Sequence, residues 1–112
     1  MIDIKKLKEG QIDVILVIGE VDASSSILLD NAIKETIEQG AKKIIVDCTS
    51  LEYISSAGLG VFMSYIDELK KKRIKFVVTG LNQKVYHVFE ILGLDQLLTI
   101  TTTKNDGLKY LK

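Results

Sequence analysis

Residues 44–80, IIVDCTSLEYISSAGLGVFMSYIDELKKKRIKFVVTG, decide the fold class, because two short β-branched runs enclose one long amphipathic pattern. The first run, Ile44 to Val46, reads as a buried strand that ends at Asp47. After the loop TSLEYISS, the segment from Ala57 to Lys71 places Leu59, Phe62, Ile66 and Leu69 on one helical stripe facing a core. Phe76 to Val78 then repeat the strand pattern. A strand, a helix and a second strand of this kind point to parallel strands with a helix packed on them.

The same alternation extends in both directions. Upstream, Val14 to Ile18 form a β-branched run closed by Gly19, and Ile2, Ile4 and Leu7 alternate well enough to pair with it across a turn at Glu9 and Gly10. Leu29, Ile33 and Ile37 then recur four apart, with serines as N-caps and Gly40 as the C-terminal stop, which predicts an amphipathic helix. Downstream, NQKVYHVFEILG predicts a helix capped by Asn82 and stopped by Gly93. QLLTI reads as a final strand, and a short terminal helix starts at Thr103 or Asn105. The expected order is ββαβαβαβα, in the α/β class, with residues 1–112 forming one domain.

Composition narrows the function. Fifteen basic residues balance fifteen acidic ones, so no net field draws the chain to nucleic acid or to an anionic membrane. The one basic cluster, Lys70 to Arg73, falls at a helix end, where cations complement the macrodipole. Apolar residues make up 46% of the sequence and charged residues 27%, the proportions of an ordinary globular protein. Cys48 is the single cysteine, which excludes an internal disulfide and the paired-cysteine spacings of zinc sites, and fits a reducing compartment. The N-terminus has no signal-peptide core and no window is apolar enough to span a bilayer, so a cytoplasmic location is expected, with no cofactor and no metal.

In sheets of this kind the functional crevice lies beyond the carboxyl ends of the parallel strands. The loops GEVDASSS and DCTSLEYISSAG are therefore expected to bring Asp22, Asp47, Ser55 and Ser56 to one end of the molecule. The serine pair then admits three readings. One serine explains a helix N-cap, worth about 1 kcal/mol, but Gly58 and Gly60 in the first turn each cost roughly 1 kcal/mol against alanine and suggest that something needs close access to that backbone. A nucleophilic Ser56 lacks support, because His87 is the single histidine and SSAGLG is not the G-x-S-x-G elbow. Phosphate-loop spacings are missing as well. The remaining reading makes the hydroxyl a phosphorylation site, where a dianion meets the positive end of a helix dipole and alters a surface already flanked by Asp22, Asp47 and Glu52. Val61 and Tyr65, four apart on a stripe beside the core residues, are expected to form part of a contact strip.

Residues 44–80, together with VIGEVDASSS and LNQKVYHVFEILGLDQLLTI, resemble the STAS domain of bacterial anti-sigma factor antagonists over nearly the whole chain. The resemblance implies a mixed four- to five-stranded sheet with packed helices and a non-enzymatic binding switch. In that family the unphosphorylated form captures an anti-sigma factor that is also a serine kinase, a GHKL-type ATPase, and so frees the sigma factor. Phosphorylation ends the capture and a PP2C-type phosphatase restores it. Aligned on the family motif D-S-[SAT]-G-L-G, Ser56 falls on the phosphoacceptor, Ala57 on the variable position, and Ser55 on the usual aspartate, which leaves Ser55 as a second potential acceptor. Asp22 falls on an acidic residue of the first loop. The resemblance thus implies a partner surface of Asp22, Ser55, Ala57, Gly58, Leu59, Val61 and Tyr65. Two other readings stay open: a scaffold or transport-complex subunit in which the serines only cap, and a small-molecule or nucleotide-binding module using the N–H groups of Ala57 and Gly58.

Overall fold

A computed structural model describes residues 2–112. Strands β1 (Ile2–Glu9) and β2 (Ile12–Val21) form an antiparallel hairpin, in register from Ile2 opposite Gly19 to Glu9 opposite Ile12. Gly10 makes the tight turn, with a φ of 61° that an L side chain seldom adopts. Helix α1 (Ser26–Glu38), β3 (Lys43–Asp47), β4 (Leu51–Ile54) and α2 (Ser56–Lys71) follow. The chain continues through β5 (Lys75–Thr79), α3 (Gln83–Ile91), the single turn α4 (Leu94–Leu97), β6 (Thr99–Thr101) and α5 (Lys104–Leu111).

The sheet runs in the order β1-β2-β3-β5-β6, and all neighbours after the hairpin are parallel. Strand β2 is ten residues long and serves two parallel partners in turn. Asp13 to Leu16 pair with β3, and from Gly19 opposite Leu51 the strand pairs with β4, with a register shift between Gly19 and Glu20, up to Val21 opposite Ile54. Gly19, at a φ of 100°, lets β2 bend between the two.

Alternation along the strands assigns the two faces of the sheet. Ile15, Ile44, Val46, Phe76 and Val78 point into the main core, which Leu29 and Ile33 of α1, Leu59 and Phe62 of α2, and Val85 and Phe89 of α3 complete. Phe62 lies at the centre, with ring centroids 6.4 Å from Phe76 and 5.6 Å from Phe89. Their neighbours Val14, Ile45 and Val77 face the other way, onto Leu108 and Leu111 of α5.

Among the described residues the sheet has six strands, where four to five were expected. The additional one is β4, which lies inside the segment read as a loop. Its burial runs buried, exposed, exposed, buried over Leu51, Glu52, Tyr53 and Ile54, so it lacks the period-two signature of a strand. The QLLTI strand is displaced: Gln96 and Leu97 belong to the helical turn α4, which starts after Gly93 at a φ of 75°, and only Thr99–Thr101 pair with β5.

Candidate functional site

The end of β4 delivers the serine pair to the start of α2, and the structure divides their roles. Ser55 is extended, with φ of −82° and ψ of 171°, and occupies the N-cap position. Its Oγ accepts a hydrogen bond from the Gly58 N–H at 3.2 Å, and its own N–H donates to the Val21 carbonyl at 2.7 Å, continuing the β2 ladder. Ser56 is the first helical residue and is exposed. Its hydroxyl has no hydrogen-bond partner among the described residues, and the helix-start N–H groups of Ser56 and Ala57 point the same way as the positive end of the dipole.

Gly58 is glycine for a packing reason. A Cβ there would sit 2.6 Å from Ile54 Cγ1 and 2.8 Å from Val21 Cγ1, so the first turn of α2 lies directly on the ends of β4 and β2. Gly60 differs, since a Cβ at that position would meet nothing within 4 Å. The need for close backbone approach therefore comes from the protein's own interior at Gly58, while Gly60 leaves bare backbone on the surface.

Asp22 adjoins the serines because Val21, the residue before it, is the hydrogen-bond partner of Ser55. Its Oδ1 accepts from the Ser25 N–H at 2.8 Å, the Ser25 hydroxyl at 2.9 Å and the Ser24 hydroxyl at 2.9 Å. Those bonds, the Ser25 backbone N–H foremost, lower its pKa from 3.8 to about 2. The expected serine cap of α1 is accordingly replaced: Ser25 makes no side-chain cap bond to the helix, and the Asp22 carboxylate closes that turn instead.

Asp47 does not join this cluster. It pairs with Leu16, five positions before Val21 on β2, which places it roughly 16 Å short of the serines at the usual rise per residue. Its carboxylate instead accepts from the Thr49 N–H at 3.0 Å and the Thr49 hydroxyl at 2.7 Å, forming the turn between β3 and β4.

Three residues expected on the partner surface face inward. Gly58 and Leu59 are buried, and Tyr65 is 8% exposed. The Tyr65 hydroxyl donates to Asp30 Oδ1 at 2.7 Å, tying α2 to α1, and burial together with that hydrogen bond raises the phenol pKa. Val61 is half-buried against the core. The outward stripe of α2 consists of Ser56, Gly60, Met63 and Asp67, which fall within an arc of about 60° at 3.6 residues per turn, flanked by Ala57 and Ser64. Met63 escaped the sequence reading, although its place about 100° round the helix from Phe62 takes it off the core stripe. The remaining chemically distinctive residues lie elsewhere: Cys48 is buried with its thiol pKa raised by desolvation, and His87 is exposed on α3 with Nδ1 3.8 Å from Glu90 Oε1.

The family profile of the STAS domain matches residues 3–107. The chain belongs to the STAS domain family. Its curated relatives include the anti-sigma-B factor antagonist of Listeria monocytogenes, 30% identical over 105 residues that cover 94% of this chain and 91% of that protein. Among solved structures, an anti-sigma factor antagonist from Mycobacterium paratuberculosis superimposes on this STAS domain with a TM-score of 0.91 at 22% identity, covering 99% of this chain and 94% of that one. The Bacillus cell fate determinant SpoIIAA in its phosphorylated form matches with a TM-score of 0.74 at 20% identity over 100% of both chains. The six-stranded mixed sheet of this STAS domain is thus the fold of anti-sigma factor antagonists. Among the described residues, no helix of the STAS domain is long and apolar enough to cross a membrane.

Proposed function

We propose that this STAS domain is an anti-sigma factor antagonist that works by partner switching, with Ser56 as the phosphoacceptor. In its unmodified form it captures an anti-sigma factor that is a GHKL-type serine kinase, which frees the sigma factor. Phosphorylation of Ser56 by that kinase ends the capture, and a PP2C-type phosphatase restores it. The observation that carries this reading is the division of labour between the serines: Ser55 holds the helix cap, while Ser56 stands exposed with its hydroxyl uncommitted. The names of the curated relatives support the pathway.

The capture surface in this reading is the outward stripe of α2, namely Ser56, Ala57, Gly60 and Met63, together with the Asp22 loop. It replaces the buried Gly58, Leu59 and Tyr65. Small side chains at 57 and 60 let a partner backbone come close, and Met63 supplies an apolar contact that adapts to its partner. A phosphate on Ser56 adds about −1.5 to −2 charges in the middle of that surface. The fold tolerates the group because the first N–H groups of α2 and the helix dipole favour an anion there. A partner shaped for a neutral hydroxyl must repel or desolvate it, and each 1.4 kcal/mol of mismatch weakens binding about tenfold.

The test is phosphate transfer from labelled ATP by a purified GHKL-type anti-sigma kinase from the same genome. Wild type and Ser55→Ala should be labelled and Ser56→Ala should not. Equal labelling of Ser56→Ala and wild type overturns the assignment.

A further inference from the structure

The loop after β5 grips the short segment that carries the serines. Asn82 stands at the N-cap of α3, where its Oδ1 accepts from the Val85 N–H at 2.8 Å. Its Nδ2 reaches the other way and donates to the Leu51 carbonyl at 3.2 Å and the Glu52 carbonyl at 3.4 Å. One side chain therefore spans the start of α3 and the backbone of β4.

Two further contacts bind the same stretches together. The Cys48 N–H donates to the Thr79 carbonyl at 2.8 Å, and Gly80 lies so near the β3–β4 turn that a Cβ would come within 2.4 Å of Thr49 Oγ1. Strand β4 needs such support: it is four residues long, and among the described residues its strand pairing is with β2 alone. Ser55 and Ser56 follow Ile54 directly, so the seating of β4 sets where the first turn of α2 emerges.

We propose that Asn82 is a positioning residue for Ser56, its amide fastening β4 so that the strand hands the serine pair to α2 at a fixed height against β2. The consequence for modification rests on the reading of Ser56 given above; the mechanical part does not.

The informative variant is Asn82→Asp. Aspartate caps helices as well as asparagine does, so the bond from the Val85 N–H survives, but both donors to β4 are lost and a carboxylate faces two carbonyl oxygens. Amide hydrogen exchange followed by NMR should show the Ser55 N–H, bonded to Val21 in the wild type, exchanging at least tenfold faster while Val85 is unchanged. Asn82→Ala should accelerate both. With the kinase, Asn82→Asp should lower kcat/KM for Ser56 labelling at least threefold, mostly through KM, whereas loss of stability alone leaves KM unchanged while the protein stays folded.

In the wild type the Asn82 Nδ2 protons should give NOEs to the α protons of Leu51 or Glu52, which tests the clamp even if a variant fails to fold. Missing NOEs, or unchanged Ser55 exchange in Asn82→Asp, overturn the proposal whatever the kinase does. Faster Ser55 exchange with unaltered labelling refutes the link to modification and leaves Ser56 as acceptor. If the wild type itself is not labelled, the functional reading fails while the exchange data still decide the clamp.

Discussion

Replacing Gly58 and Gly60 separately with alanine should shift stability in opposite directions, although the two glycines are two positions apart on one helix. At Gly58 the new methyl would lie 2.6 Å from Ile54 Cγ1, 2.8 Å from Val21 Cγ1 and 3.0 Å from Ile54 Cδ1, where carbon atoms ordinarily rest about 3.5–4.0 Å apart. Val21 and Ile54 are both core residues at the ends of paired strands, so neither can retreat without loosening the β2–β4 junction. Overpacking of this kind costs about 1–3 kcal/mol, and alanine returns up to about 1 kcal/mol of helix propensity. The net expectation is a loss of about 1–2 kcal/mol, a fall in Tm of about 5–10 °C for a chain of this size. At Gly60 the methyl meets open space, so propensity acts unopposed and stability rises by about 0.5–1 kcal/mol. Urea titration and thermal melts followed by circular dichroism measure both. Gly60→Ala should also weaken capture of the anti-sigma factor, because its methyl stands on the outward stripe beside Ser56. If Gly58→Ala stabilises the protein as Gly60→Ala does, the packing account of the first turn of α2 is wrong.

Further expectations follow from the same geometry. Ser55→Ala should cost about 1 kcal/mol through loss of the cap, whereas Ser56→Ala should stay within about 0.5 kcal/mol of wild type in the same urea titrations. Asp22 has a folded-state pKa below its ordinary value, at about 2 instead of 3.8, so its contribution is present above pH 3.8 and drains away as pH falls toward 2. Asp22→Asn should remove that component, flattening the acid limb of a plot of urea midpoint against pH between 5 and 2. Tyr65→Phe deletes the hydrogen bond to Asp30 that joins α2 to α1 and should lower stability by about 1–2 kcal/mol, and an unchanged urea midpoint would contradict the assigned tie.

The elements legible in the sequence were those whose burial repeats at one period. Leu29, Ile33 and Ile37 mark the inner face of α1, Ile44 to Val46 and Phe76 to Val78 are continuous because both sheet faces are covered, Asn82 caps the helix it was expected to cap, and of the two starts expected for α5 the cap is Thr103 and not Asn105. Strand β4 was hidden because a four-residue strand beside a bulge shows no alternation, and the turn α4 because Leu97 and Leu98 read as strand until Gly93 resets the backbone. At the site, sequence placed the serine pair at a helix mouth but could not tell cap from free hydroxyl, since that depends on which residue continues the β2 ladder to Val21. Tyr65 misled for a related reason. Its ring is apolar enough to suggest a contact strip, yet its hydroxyl finds a partner across the helix pair, which only the packing of α1 on α2 creates.

If one exposed hydroxyl at position 56 governs capture, calorimetric binding of the anti-sigma kinase to protein carrying serine or phosphoserine at that position reads its effect without intermediaries. Phosphoserine installed during synthesis avoids any dependence on kinase turnover. The unmodified protein should bind tightly and the phosphoserine form at least tenfold more weakly, with the fold intact by circular dichroism. Equal affinity of the two forms would show that the Ser56 hydroxyl does not govern capture.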